Sequence, residues 1–496
     1  MLRSSYLPAI RILLMASSDA TETSPLLQHS HVEAQAVVSP TPLPKGQFAA
    51  LCAVRLVDPI AFTQLFPYVN DFMNDLHVTD DPSRIGFYSG LVESTFAICQ
   101  LCSIYPWAKM SDAIGRRPVI LAGLSFVIMS TLAFGLSKSL AMVLITRCLG
   151  GLFSGTVAAV HSALGEMTDT LNRDFAIPIF GLMWPFGAIV GPLIGGILSN
   201  GASKYPYLFG YTIFEDNPYF LPCLMSSLLT FIGVLLGSAF LEETLPSKRK
   251  GRNEKCRLNA SHHAVVEQGP MSVKGLIALP AISALVTSGF ALSFIGTAFD
   301  AVFVLFCYSS IESGGLSFSA SQIGYCLAIS SFIMIGLQLS VLPYLLPTLG
   351  PSRLYVFCMG LWPFSFIFLP FLNVIARGGL AADGKLDAST MGLLWTGIAF
   401  IHLINRISTL AYSMSMMLIN EHAPSPACLS QCHGIVQFSM CFARAFAPFL
   451  SSSLYAFSID KNILGGYLWV VVMIAISFFA GFMSRRLLPY RKTIVL

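Results

Sequence analysis

Charge is what this chain has least of: Asp, Glu, Lys and Arg make up 11% of its 496 residues, against 55% hydrophobic ones. A soluble domain carries about a quarter charged residues. So few cannot clothe a globule of this size in polar groups, and lipid must be the solvent for much of its surface. The net charge of +4 is small and scattered, unlike the basic patch of a nucleic-acid binder. Twelve cysteines make no disulfide framework. Most of them (Cys52, Cys99, Cys102, Cys148, Cys223, Cys307, Cys326, Cys358, Cys441) fall in apolar runs and act as small hydrophobes. Cys256 with His262 and His263, and Cys428 with Cys432 and His433, lack metal-ligand spacing. There is no phosphate-binding loop, and no nucleophile, base and orienting group at a recognisable spacing. Neither an ATP-driven pump nor an enzyme is expected, and no metal or cofactor. The apolar patch Ile10–Met15 is too short for a secretory signal, and Met15 is an alternative start to Met1.

Long apolar runs are what the chain has in abundance. A crossing helix needs roughly 20 mostly apolar residues. That rule predicts twelve spans: 47–68, 86–107, 118–137, 140–164, 175–199, 218–241, 276–306, 322–346, 353–376, 390–418, 433–457 and 464–484. The long runs at 276–306 and 390–418 imply tilt or a helical extension into water. The expected fold is an all-α membrane protein of twelve transmembrane helices in two pseudo-symmetric six-helix bundles, 47–241 and 275–487. A disordered tail over 1–46, a cytosolic linker over 242–274 and a short tail over 488–496 complete it.

With both termini in the cytosol, the inner connections and C-terminal tail hold sixteen Lys and Arg and the outer connections six. That is the bias the positive-inside rule requires. An internal repeat supports the two halves. Ser83-Arg-Ile-Gly86 opens span 2 and Ser321-Gln-Ile-Gly324 opens span 8. The intervals from Ser83 to Gly115 and from Ser321 to Gly350 differ by three residues, as duplication of a six-helix unit would leave them.

Ionisable residues inside spans are costly and mark bundle interiors or wet cavities. Span 1 carries Arg55 and Asp58, span 2 Glu93, and span 4 Arg147 and His161. Span 7 carries Asp300, span 10 His402 and Arg406, and span 11 Arg444, while spans 3, 6, 9 and 12 carry none. This period of three fits a bundle in which the first helix of each triplet is central and the third faces lipid. Arg55 and Asp58 share a helix face, as do His402 and Arg406. Arg147 and His161 lie near one face of an ideal helix, about 21 Å apart.

The loop after span 2 reads Ala108-Lys-Met-Ser-Asp112-Ala-Ile-Gly115-Arg116-Arg117-Pro118. It resembles the major facilitator signature G-x-L-a-D-r-x-G-r-k, with Ala108 where glycine is usual. In span 4, Arg147-Cys-Leu-Gly-Gly151 is similar to that family's R-x-x-q-G. In span 5, Gly187-Ala-Ile-Val-Gly191-Pro192-Leu-Ile-Gly195-Gly196 resembles its antiporter signature g-x-x-x-G-P-x-x-G-G. Arg55-Leu-Val-Asp58-Pro-Ile, Phe66-Pro67-Tyr68 and Arg444-Ala-Phe-Ala-Pro448 look like the drug:proton antiporters, in particular the zinc-induced-facilitator-like subgroup.

The resemblance implies a secondary transporter, a monomer in the bilayer whose partners are a small-molecule substrate and protons, with no nucleic acid. Asp112, Gly115, Arg116 and Arg117 are then a cytosolic gate, the alternative being a plain positively charged turn. Gly187, Gly191, Pro192, Gly195 and Gly196 restrict leak in an antiporter, or serve tight helix packing alone. Asp58 is the foremost proton-coupling candidate, with Arg147 as tuning partner and Glu93 and Asp300 as further candidates. A permanent salt bridge to Arg55 or Arg147 is its other reading. Arg55, His161, His402 and Arg406 are assigned to the substrate cavity, with hydrogen-bonded helix contacts as the alternative. Arg55, Arg147, Arg406 and Arg444 outnumber Asp58, Glu93 and Asp300 by one, a lean towards anionic or zwitterionic ligands. Glu22-Thr-Ser-Pro-Leu26-Leu27 is similar to an acidic dileucine sorting signal, which makes a vacuolar membrane the rival of the plasma membrane. The sequon at Asn259 falls on the cytosolic side and stays unused.

Overall fold

The computed structural model describes residues 44–168, 172–245, 272–380, 386–424 and 426–488. The dileucine signal, the Asn259 sequon and most of the expected tail and linker segments lie outside these residues. Among the described residues twelve helices are long and apolar enough to cross a membrane. They are Lys45–Thr63, Pro82–Ile114, Arg116–Gly135, Leu140–Met167, Ala176–Leu198, Phe220–Phe240, Pro280–Tyr308, Ala320–Leu349, Pro351–Gly378, Ala388–His422, Gln431–Asp460 and Leu468–Leu487, called spans 1 to 12. Each expected span is present and in order.

The helices depart from uniform rods where local chemistry demands it. Span 1 stops at Thr63, and after a turn a separate short helix runs Val69–Asp75. Before span 7 a short helix, Val273–Ala278, ends because Pro280 starts the next one. Proline suits a first helical position, where its missing N–H is not needed, and forces the residue before it out of the helical region. Span 10 steps at Leu410, between Ala388–Thr409 and Ala411–His422. Span 4 is interrupted by a 3-10 turn at Ser154–Thr156. That tighter turn seats Gly155 where a Cβ would lie 2.5 Å from Ser103 Oγ and 2.7 Å from Trp107 Cδ1. The interruption changes the helical phase, so the ideal spacing expected between Arg147 and His161 does not hold.

Spans 1–6 and 7–12 form two bundles that meet along two helix pairs, span 5 with span 8 and span 2 with span 11. On the first seam, Ser331 Oγ donates to the Ala188 carbonyl at 3.0 Å and Ser321 Oγ to the Gly196 carbonyl at 2.8 Å. Lys204, after span 5, reaches the Gly196 carbonyl at 3.0 Å and Ser321 Oγ at 3.1 Å. On the second seam, the Phe449 N–H donates to Ser94 Oγ at 3.0 Å, and Arg84 pairs with Asp460 at 3.8 Å. All these contacts lie towards the face opposite Lys45 and Leu487. We call that the far face and the other the terminal face. The halves are therefore bonded to one another from mid-span to the far face.

Candidate functional site: the cavity between the bundles

Span 5 is sandwiched between span 1 and span 8 by its glycines. A Cβ on Gly187 would lie 2.4 Å from Pro59 Cγ, on Gly191 2.2 Å from Thr63 Oγ1, and on Gly195 1.9 Å from the Gln64 carbonyl oxygen. One residue on, a Cβ on Gly196 would lie 2.5 Å from the Ala320 carbonyl in the other half. From span 8, a Cβ on Gly324 would lie 2.5 Å from the Pro192 carbonyl. The motif thus lets span 1 lie flush on span 5 while span 5 closes the far-face seam.

That packing carries Arg55 and Asp58 into the cavity wall. Asp58 Oδ2 accepts from Arg55 Nη1 at 3.3 Å, and Oδ1 accepts from Ser154 Oγ at 3.3 Å. Ser154 belongs to the 3-10 turn of span 4, so the break in that helix is what offers Asp58 its second partner. The Arg55 guanidinium lies 5.3 Å from the Trp184 ring and 5.8 Å from Phe180, within cation–π range. His161 packs against the same Phe180 ring at 5.4 Å.

Arg147 and Asp58 line one small cavity of about 30 Å³, room for a water molecule or two, together with Phe62, Gln64 and Phe96. They do not form an ion pair. Arg147 is instead stacked on Phe96 at 4.5 Å and faces Phe134 at 5.8 Å. Its Nε and Nη2 have no hydrogen-bond partner, and it and Glu93 are each 7% exposed.

In the second half Asp300 Oδ1 pairs with Arg406 Nη2 at 3.4 Å, and the Asp300 side chain is 44% exposed although it sits well inside span 7. Arg406 Nε donates to Ser330 Oγ at 2.6 Å, and Ser330 Oγ lies 2.9 Å from His402 Nδ1. His402 is 1% exposed, between the rings of Phe299 and Phe303. It stands behind Arg406 and not in the cavity wall where sequence placed it. A shared helix face put it in the cavity; the step from His402 through Ser330 to Arg406 shows it orienting the arginine from within the core.

At the terminal face Arg116 is the hub. Its guanidinium holds Asp112 at 2.5 Å, Glu166 at 3.0 Å and Ser111 Oγ at 2.6 Å. The backbone N–H groups of Arg116 and Arg117 donate to Glu243 at 2.8 and 3.2 Å. Arg117 also donates to the Ser238 carbonyl at 2.5 Å. Gly115 has φ +124°, and a Cβ there would lie 2.4 Å from Glu243 Oε2. These bonds tie together spans 2, 3, 4 and 6, all in the first half. Glu166, Glu243, Ser154, Ser330 and Trp184 are the partners that sequence reasoning missed, since each meets its charge from another helix.

The Major Facilitator Superfamily model matches residues 51–448 of this chain. The "Major facilitator-type transporter psiT2" of Psilocybe cyanescens is 38% identical over 93% of this chain and 94% of its own length. The "Efflux pump azaK" of Aspergillus niger is 28% identical over 91% of this chain and 92% of its own length. Among solved structures, a bacterial homolog of the human lysosomal transporter Spinster aligns with a TM-score of 0.63 at 14% identity, over 92% of this chain and 100% of that one.

Proposed function

Since this chain belongs to the Major Facilitator Superfamily, we propose that it is a proton-coupled exporter of a small organic solute, acting as a monomer by alternating access. The chain is a multi-pass membrane transporter and not an enzyme. The finer reading rests on one observation above all: each half holds a carboxylate–arginine pair within its crossing helices, Asp58 with Arg55 and Asp300 with Arg406. Desolvation and a neighbouring guanidinium act in opposite senses on a carboxylate's hold on its proton. Rocking of the bodies 47–241 and 275–487 about the midplane changes both at once, and so loads and unloads a proton.

The antiporter-type glycines of span 5 and the efflux pump among the relatives support export, or sequestration in a vacuole. The sixteen-to-six excess of Lys and Arg supports a cytosolic terminal face, from which the solute enters. Asp58 takes the proton-carrying role, with Glu93, Arg147 and Asp300 setting the field around it. The test is reconstitution in liposomes holding a pH-sensitive dye, with a mixed solute panel and Asp58→Asn run beside wild type. A solute that drives proton flux in wild type alone supports the reading. Equal solute movement in both proteins without proton flux makes the protein a facilitator and overturns it.

A further inference from the structure

We infer that Arg444 is the docking point for an anionic group, a carboxylate or a phosphate ester, on the carried solute, with Arg55 facing it from the other half. The inference rests on the transport reading for its cavity, but not on the sign of proton coupling.

The positions follow from where the seams end. On span 11, the Pro448 carbonyl meets Gly90 and the Phe449 N–H meets Ser94, the last contacts before the halves part. Arg444 lies four residues nearer the terminal face than Pro448, about 6 Å along the helix. On the other wall the seam ends at Ala188, where span 5 lies against Leu56 and Pro59 of span 1. Arg55 lies four residues nearer the terminal face than Pro59. Each half therefore places one arginine about a helical turn beyond the last bond between the halves, on the terminal-face side.

Partnership separates Arg444 from the other three arginines. Arg55 has Asp58, Arg406 has Asp300, and Arg147 lies against two aromatic rings. Arg444 has a contact from Nη2 to Cys441 Sγ at 3.0 Å and, among the described residues, no carboxylate within ion-pair distance. A thiol does not neutralise a guanidinium. A planar fork of N–H donors without a counter-charge selects carboxylate or phosphate oxygens. Such an anion also removes the repulsion between Arg444 and Arg55 that opposes closing the terminal side. Phe62 and Trp184, 6.2 Å apart on the wall beside Arg55, offer an apolar surface for the body of the solute.

The test uses the purified full chain in phosphatidylcholine nanodiscs, so that no anionic headgroup competes, and reads thermal stabilisation by four matched probes. These are 4-methylbenzoate, phenyl phosphate, 4-methylbenzyl alcohol and 4-methylbenzylamine. In wild type the two anions raise the unfolding midpoint at millimolar concentration and the alcohol and amine do not. Arg444→Gln, with its unliganded midpoint as the check on folding, binds the anions at least tenfold more weakly, and Arg444→Lys retains part of the effect. If Arg444→Gln does not fold, protection of Cys441 from thiol labelling by 4-methylbenzoate in wild type gives the same answer. Anions and alcohol acting alike, unchanged binding in Arg444→Gln, or unprotected Cys441 would each overturn the site. A fifth arm with phosphatidylglycerol nanodiscs shows whether a lipid headgroup is the anion: loss of probe binding there, with protection of Cys441 by lipid alone, overturns the solute assignment. No arm needs proton flux, so failure of coupling in liposomes and failure of this site are separate results.

Discussion

A single methyl group is too large at Gly195, because the obstacle is backbone: a Cβ there would sit 1.9 Å from the Gln64 carbonyl oxygen. Spans 1 and 5 must separate to admit it, an overpacking strain of about 1–3 kcal/mol or more. Gly195→Ala is expected to lower the thermal midpoint and abolish transport. Gly181→Ala in the same helix, where nothing lies within 4 Å of the added carbon, is expected to leave both unchanged. Gly115→Ala combines left-handed backbone strain of about 1–2 kcal/mol with displacement of the Glu243 carboxylate. It should loosen the Arg116 hub, read as faster proteolysis at the terminal face. The need for glycine at 187, 191, 195 and 115 was legible from the motifs. What each glycine touches was not, because Pro59, Gln64 and Glu243 approach from other helices and leave no mark on local spacing.

At the scale of elements, the short helix Val69–Asp75 and the segment around Lys204 make the far face sensitive to pH. Asp71 is pushed up from an ordinary 3.8 to about 6, by burial first and then by repulsion from Asp75, with Lys204 acting the other way. Burial pushes Lys204 down while Asp71 holds it up. Tyr219, which donates to Asp75 at 2.5 Å, is pushed well up by burial and that bond, and Tyr308 faces the same cluster. The sign follows from linkage. A carboxyl whose affinity for its proton is raised in the closed arrangement favours closure fully below about pH 4, and that preference is lost as pH rises to about 6. Acidifying the far side from pH 7 to 5 should therefore slow labelling of a cysteine placed at Ala188. Asp71→Asn, which copies the protonated group, should remove the dependence. The crossing helices were legible because a 20-residue apolar run has few other uses. The 3-10 turn at Ser154–Thr156 was not, since Ser-Gly-Thr reads equally well as helix until Gly155 is seen against Ser103 and Trp107.

For the whole molecule, the charge pattern along the chain foretold the cavity better than it foretold the pairs inside it. Of the charges that pattern singled out, Asp58 and Arg147 line one small cavity and Asp300 pairs with Arg406. Which arginine faces which acid depends on side-chain direction across helices far apart in sequence. Arg147 accordingly sits over Phe96 beside Glu93, while Arg55 takes Asp58. On the proposed alternating-access reading, the other state must break the Ser331–Ala188, Lys204–Ser321 and Arg84–Asp460 contacts that join the halves on the far face.

The most direct test of coupled alternating access is a pair of spin-label distances followed with pH. Labels at Lys109 and Thr348 report the terminal face, and labels at Lys138 and Asn462 the far face, in a background with native cysteines replaced. Both wild type and Asp58→Asn would carry Asp71→Asn, so that the far-face titration does not contribute. The account predicts reciprocal changes between pH 8 and 5.5 with Asp58 intact, one pair lengthening as the other shortens, and no change in Asp58→Asn. Distances that move in the same sense, or that respond to pH equally in both proteins, would contradict it.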